Sequence, residues 1–169
     1  AEEKKITTML RTIRKFPQYP LVLIKPGTRI EKWSWKAENF QIVADKLSGS
    51  KKAEVLFICA PGEEPLIDQI NQRANQKINK LPILSVKELA LVIKRSNLLF
   101  CNHTGIMHLA SAVETPVVVI FKHGETARWK PINTPHILLE EKQTAAVSPE
   151  IVLEKINQLL ANTPIHKAI

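Results

Sequence analysis

Asn97-Leu-Leu-Phe-Cys-Asn-His-Thr-Gly-Ile-Met-His-Leu-Ala-Ser-Ala-Val-Glu-Thr-Pro-Val-Val-Val-Ile-Phe121 decides the architecture. Asn97 to Cys101 is a short apolar run, which predicts a buried strand. Asn102-His-Thr-Gly105 makes a turn, and Ile106 to Val113 reads as a short helix. Thr115 to Phe121 is rich in β-branched residues and apolar on both faces, so it predicts a strand covered on both sides. Strand, crossover helix and strand in succession form a βαβ unit, whose strands run parallel.

The alternation extends outward in both directions. Upstream, Leu21 to Ile24 stops at Pro26-Gly27, Ala53 to Ala60 stops at Pro61-Gly62, and Leu81 to Leu84 makes a third short strand. Helices are predicted at Trp35–Leu47 with Gly49 as its C-cap, at Glu63–Asn75 with acids in the first turn, and from a Ser85 cap to Ser96. Downstream, Lys122 to Pro135 is a polar loop and His136 to Glu140 a sixth strand. Ser148-Pro149-Glu150 opens a last helix that ends near Asn162. Six strands separated by helices predict a doubly wound, Rossmann-like α/β domain, a six-stranded parallel sheet with helices on both faces. The expected organisation is a separate N-terminal amphipathic helix and linker over 1–20, the α/β domain over 21–162, and a tail over 163–169.

Composition agrees with a globular domain. The 169 residues carry a net charge of +8, with 44% hydrophobic and 24% charged residues, which excludes a disordered chain, a collagen and a disulfide scaffold. Cys59 and Cys101 lie in apolar runs, as reduced core thiols of a cytoplasmic protein do. No apolar stretch approaches the ~20 residues of a membrane span, and Ala1 to Lys5 lacks a secretion core. The chain begins without Met, as an excised or processed piece would. Its Lys and Arg residues are scattered and no nucleic-acid motif accompanies them. The charge suits a phosphorylated small molecule better than nucleic acid, and a peripheral contact of the basic N-terminal helix with an anionic inner-membrane face is a further expectation.

In an open parallel sheet, ligands bind beyond the carboxyl ends of the strands. The turns there hold the candidate site residues. Thr104 and Gly105 either make a plain strand–helix turn with a Thr-Gly cap or offer a hydroxyl and a bare backbone at a helix start, where unpaired N–H groups favour an anion. His108 follows one turn on as a donor to a phosphate or to its loop, or as a structural histidine. Thr28 opens the loop after the first strand, where Arg29 and Lys32 either supply positive charge for a diphosphate or belong to a solvated basic loop. Glu63 and Glu64 are either acceptors for a ribose or helix-start acids favoured by the dipole. Cys101, His103 and His108 lack the tight local spacing of a closed zinc site, so no metal is expected.

These residues carry a resemblance. Pro26-Gly-Thr, Lys32, Trp35 and Glu38-x-Phe40, then Leu84-Ser with Glu88-Leu-Ala, Asn102 to Ala110, Thr115 to Phe121 and Ala127-Arg-Trp-x-Pro131 resemble the C-terminal domain of the ADP-heptose:lipopolysaccharide heptosyltransferases, glycosyltransferase family 9, of the GT-B fold. The resemblance spans about Leu21 to Leu160. It implies one half of a GT-B enzyme that binds a nucleotide-sugar donor, ADP or an ADP-sugar, without a metal or other cofactor. It implies contacts from Thr28 and Lys32 to diphosphate and sugar, a phosphate held at Thr104 and Gly105 with support from His108, ribose near Glu63 and Glu64, and adenine along Leu84.

Three departures from the family pattern stand out. His103 occupies the position where the family usually has an Asp facing the transferred sugar. Lys122-His-Gly-Glu-Thr126 replaces the usual loop after the following strand, with Glu125 as a substitute acid. The acceptor-binding N-terminal domain, which supplies the catalytic base and receives the lipopolysaccharide-core acceptor, lies outside this sequence, so no catalytic residue is expected here. The expectation is a donor-binding half that is inactive until its partner domain is supplied. The competing expectation is a non-catalytic nucleotide-sugar-binding or interaction module with a degenerate site.

Overall fold

The computed structural model describes residues 2–122, 126–142 and 146–163. A parallel sheet lies at its centre. Its strands are β1 (Leu21–Lys25), β2 (Glu54–Phe57), β3 (Leu98–Asn102), β4 (Val117–Phe121) and β5 (His136–Glu140), in the order β2-β1-β3-β4-β5. Every residue of β1 to β4 is buried, and the edge strand β5 is half-buried throughout. Strand order reverses between β1 and β3, the switch point at which doubly wound sheets open a crevice.

Alternate strand residues feed two cores. Val22, Ile24, Phe57, Phe100 and Ile120 pack under α2 (Ala37–Gly49), α3 (Glu64–Arg73) and α7 (Pro149–Ala161). Leu21, Leu23, Leu56, Leu99 and Val119 pack under α1 (Glu2–Ile13), α4 (Val86–Arg95) and α5 (Ile106–Ala112). The predicted N-caps form, whereas Gly49 is the last residue of α2 and Ser50, not Gly49, is its C-cap. Ser85 accepts from the Glu88 amide while Glu88 accepts from the Ser85 amide, and the Ser148 hydroxyl accepts from the Ile151 amide.

Three expectations need correction. The sheet has five strands, because Leu81 to Leu84 does not form one. Just before that segment Lys80 makes an isolated bridge to Phe57 of β2, in which the Leu81 amide donates to the Phe57 carbonyl and the Phe57 amide to the Asn79 carbonyl. Among the described residues no bridge to β2 follows it. The N-terminal helix does not stand apart. Ile6 and Leu10 are fully buried in the core shared with Leu21 and Val92. Finally, the 122–135 segment is not all loop, since it holds a one-turn helix, α6 (Thr126–Trp129).

The end of α1 is fastened to the sheet by Arg14. Its Nε donates to Glu54 at 2.8 Å, and its Nη2 donates to the carbonyls of Phe16, Pro17 and Tyr19. The other Glu54 oxygen accepts from the amides of Lys15 and Phe16. Among the described residues no helix is long and apolar enough to cross a membrane.

Candidate functional site

The turns after β1 and β3, on either side of the switch point, enclose two hollows that meet. A hollow of about 540 Å³ opens between the β1 loop, the start of α5 and α6, lined by Trp33, His103, Gly105, His108 and Trp129. A narrower one of about 230 Å³ runs over the end of β2, lined by Ile58, Cys59, Pro61, Glu63, Leu81 to Leu84 and Ile106. Thr28, Arg29 and Thr104 line both.

Hydrogen-bond donors collect at this junction. The Thr104 hydroxyl is buried with no hydrogen-bond partner among the described residues. A buried hydroxyl without a partner is costly, so it marks a place where a ligand can complete the structure. Arg29 is exposed and makes no ion pair among the described residues. Nothing lies within 4 Å of where a Cβ on Gly105 would be, so the backbone there is open to approach.

The β1 loop that presents Thr28 and Arg29 is fixed at both ends. At its start, the Lys25 ammonium donates to the Gly27 carbonyl at 3.0 Å and to the two Glu63 oxygens at 2.6 and 2.7 Å. Glu63 also accepts from the Ala60 amide at 2.9 Å. Its carboxylate lies so close to Gly27 that a Cβ there would come within 2.2 Å of it. Asn102, fully buried, spans the rest of the loop: Nδ2 donates to the Pro26 carbonyl at 2.6 Å and Oδ1 accepts from the Trp35 amide at 3.0 Å. The loop therefore needs no ordering when a ligand arrives, which favours binding.

His103 stands in an aromatic stack. Its ring lies 4.3 Å from Phe121 and 6.4 Å from Trp33, nearly parallel to both, with Trp129 tilted against it at 6.1 Å. His108 is exposed in the broader hollow, 6.3 Å from Trp129. Cys101 belongs to the core, and burial pushes its thiol up to about 12.

The structure thus brings Thr28, Arg29, Glu63, Leu84, His103, Thr104, Gly105 and His108 to one cleft. Lys32 lies exposed on a 3₁₀ turn, Glu31–Trp33, and lines neither hollow. Glu64 opens α3, where the helix dipole favours an acid, and it also lines neither hollow. Glu125 lies outside the described residues. Lys25 and Asn102 were not among the sequence candidates, although each is a polar residue closing an apolar strand at its carboxyl end, which is a readable signal.

Strand order and the switch-point cleft define a Rossmann-like, doubly wound α/β domain. The chain belongs to glycosyltransferase family 9 (heptosyltransferase), whose family model matches residues 3–161. Lipooligosaccharide heptosyltransferase 2 of Haemophilus influenzae is 20% identical over 181 residues, covering 89% of this chain and 52% of the relative. A family 9 glycosyltransferase structure from Veillonella parvula superposes with a TM-score of 0.86 at 19% identity, covering 95% of this chain and 52% of that one. The heptosyltransferase WaaC of E. coli, solved with ADP, superposes with a TM-score of 0.73 at 14% identity, covering 91% and 48%. The chain therefore spans about half the length of the relatives it matches.

Proposed function

We propose that this chain is the donor-binding half of a heptosyltransferase-like enzyme and takes ADP or an ADP-sugar in the switch-point cleft. The diphosphate lies at the junction of the hollows, against Thr28, Arg29, Thr104 and the Gly105 backbone. Adenosine occupies the narrower hollow between Glu63 and Leu84, and the sugar the broader one beside His103 and His108. A structurally similar heptosyltransferase solved with ADP supports the nucleotide class. Transfer is an inverting displacement at the anomeric carbon, with the base and the lipopolysaccharide-core acceptor supplied by an N-terminal domain at the cytoplasmic face of the inner membrane. Negative charge grows on the leaving diphosphate in the transition state, and Arg29 and Thr104 are placed to stabilise it without a metal.

The observation that carries this reading is the Thr104 hydroxyl, buried where the two hollows join without a hydrogen-bond partner among the described residues, beside an Arg29 that makes no ion pair among them. Its test separates binding from folding. Thr104→Val keeps the shape and removes the orphan hydroxyl, so stability holds or rises by about 1 kcal/mol while ADP affinity falls about tenfold. Arg29→Ala lowers ADP affinity by a similar factor and leaves adenosine, which has no phosphate, unaffected. Calorimetry that finds no ADP binding at millimolar concentration defeats the proposal.

A second reading, a non-catalytic module with a degenerate site, is favoured by the stacking of His103 between Phe121 and Trp33. A ring held by neighbouring rings serves packing before it serves a sugar hydroxyl. With an acceptor domain supplied in trans, sugar transfer that appears only in His103→Asp supports the degenerate site. Transfer by the unaltered chain removes it.

A further inference from the structure

We infer that Lys25 is a positioning residue of the cleft: by gripping both Glu63 oxygens it holds that carboxylate flat on Gly27, and so sets both the ribose-facing acceptor and the turn that presents Thr28 and Arg29. This role rests on the nucleotide reading of the cleft and adds to it a residue that acts through others.

Lys25 ends β1 and lines the narrower hollow beside the diphosphate junction, where a free ammonium would be expected to meet phosphate. Its donors are already taken. An ammonium has three N–H groups. They go to the Gly27 carbonyl and to the two Glu63 oxygens, and the side chain is only 9% exposed. Lys25 therefore has no donor left for a phosphate, and its effect must pass through Gly27 and Glu63.

Glu63 shows the complementary arithmetic. A carboxylate offers about four lone-pair positions. Lys25 uses one on each oxygen and the Ala60 amide uses the second on Oε2. One position remains, on Oε1, and Glu63 is 21% exposed into the hollow it lines. That position can accept one hydroxyl. The site thus recognises a nucleoside by a single hydroxyl of its sugar ring, and recognition depends on Lys25 keeping the carboxylate oriented.

The test titrates the intact chain with ADP and with 2′,3′-dideoxy-ADP. The unaltered chain binds ADP about tenfold more tightly than the dideoxy compound, the size expected for one hydrogen bond to a charged group. Lys25→Met lowers ADP affinity about tenfold and abolishes that preference. Glu63→Gln, which keeps the side-chain shape should Lys25→Met fail to fold, also reduces the preference, and Lys25→Arg restores part of it. A direct Lys25–phosphate contact predicts a different pattern, in which Lys25→Met weakens both nucleotides equally and the preference survives. That pattern, or an unaltered chain that binds both nucleotides equally, overturns the positioning role while leaving the cleft reading intact. A chain that binds no ADP overturns the cleft reading itself.

Discussion

Gly27→Ala is expected to destabilise the fold by about 3 kcal/mol and to weaken ADP binding more than tenfold. The added Cβ would lie 2.2 Å from both the Glu63 carboxyl carbon and Oε1 and 2.5 Å from Oε2. A glutamate tip at the surface could swing aside cheaply, but this one is held by both Lys25 contacts and the Ala60 amide. Displacing it leaves the Lys25 ammonium, 9% exposed, without its counter-ion, and breaking a buried pair costs ~3–5 kcal/mol where burial is complete. Glu63 is more exposed than that limit, so the lower part of the range applies. Binding falls further because the same shift moves the turn that carries Thr28. Urea denaturation reads the first effect and calorimetry the second. Gly105→Ala is the control: open space surrounds that position, so stability should change by less than about 1 kcal/mol. A Gly27→Ala chain as stable as the original, with its ADP affinity intact, would mean that the Glu63 clamp is loose.

The contrast between those two glycines shows what the sequence conveys and what it withholds. The βαβ unit over residues 97–121 is legible because hydrophobic runs and turn residues act over a few positions, and period and burial follow from them. The Thr28 and Thr104 turns are legible for the same reason, since strands end there and the doubly wound topology brings strand ends together. Long-range pairing is not legible. Leu81 to Leu84 has the apolar character of a strand, yet whether it completes one depends on how far the chain keeps following β2 past Leu81. Lys32 looks as suitable for a phosphate as Arg29, and only the course of the 3₁₀ turn separates them. Glu63 and Glu64 are alike in sequence, but Lys25 reaches one and the helix start claims the other. Ile6 and Leu10 give α1 an apolar stripe, and a stripe does not say which surface will cover it.

Arg14 bears on that last point, and Arg14→Leu is expected to lower stability by about 3–5 kcal/mol, equivalent to a fall of roughly 10 °C in melting temperature for a chain of this size. The guanidinium is 3% exposed and its partner Glu54 6%, so this pair is far drier than Lys25–Glu63. Four donor contacts depend on Arg14, three of them to carbonyls of the segment that carries the chain from α1 into β1. Leucine would remove the donor to the Pro17 and Tyr19 carbonyls and leave the Glu54 charge without a counter-ion at the start of β2, where Glu54 pairs in register with Leu21. The segment over 14–20 should then become the first site of proteolytic cleavage, because its order rests on those contacts. Binding gives the discriminating readout. Arg14 lies at the amino end of the sheet, about one strand length, roughly 16 Å, from the cleft at the carboxyl end. ADP affinity measured well below the melting temperature should therefore stay within about twofold of the unaltered chain, whereas Gly27→Ala loses it. An Arg14→Leu chain that loses less than about 1 kcal/mol would show that α1 is held by its apolar stripe alone. One that loses ADP binding while still folded would show that the two ends of the sheet are coupled through β1.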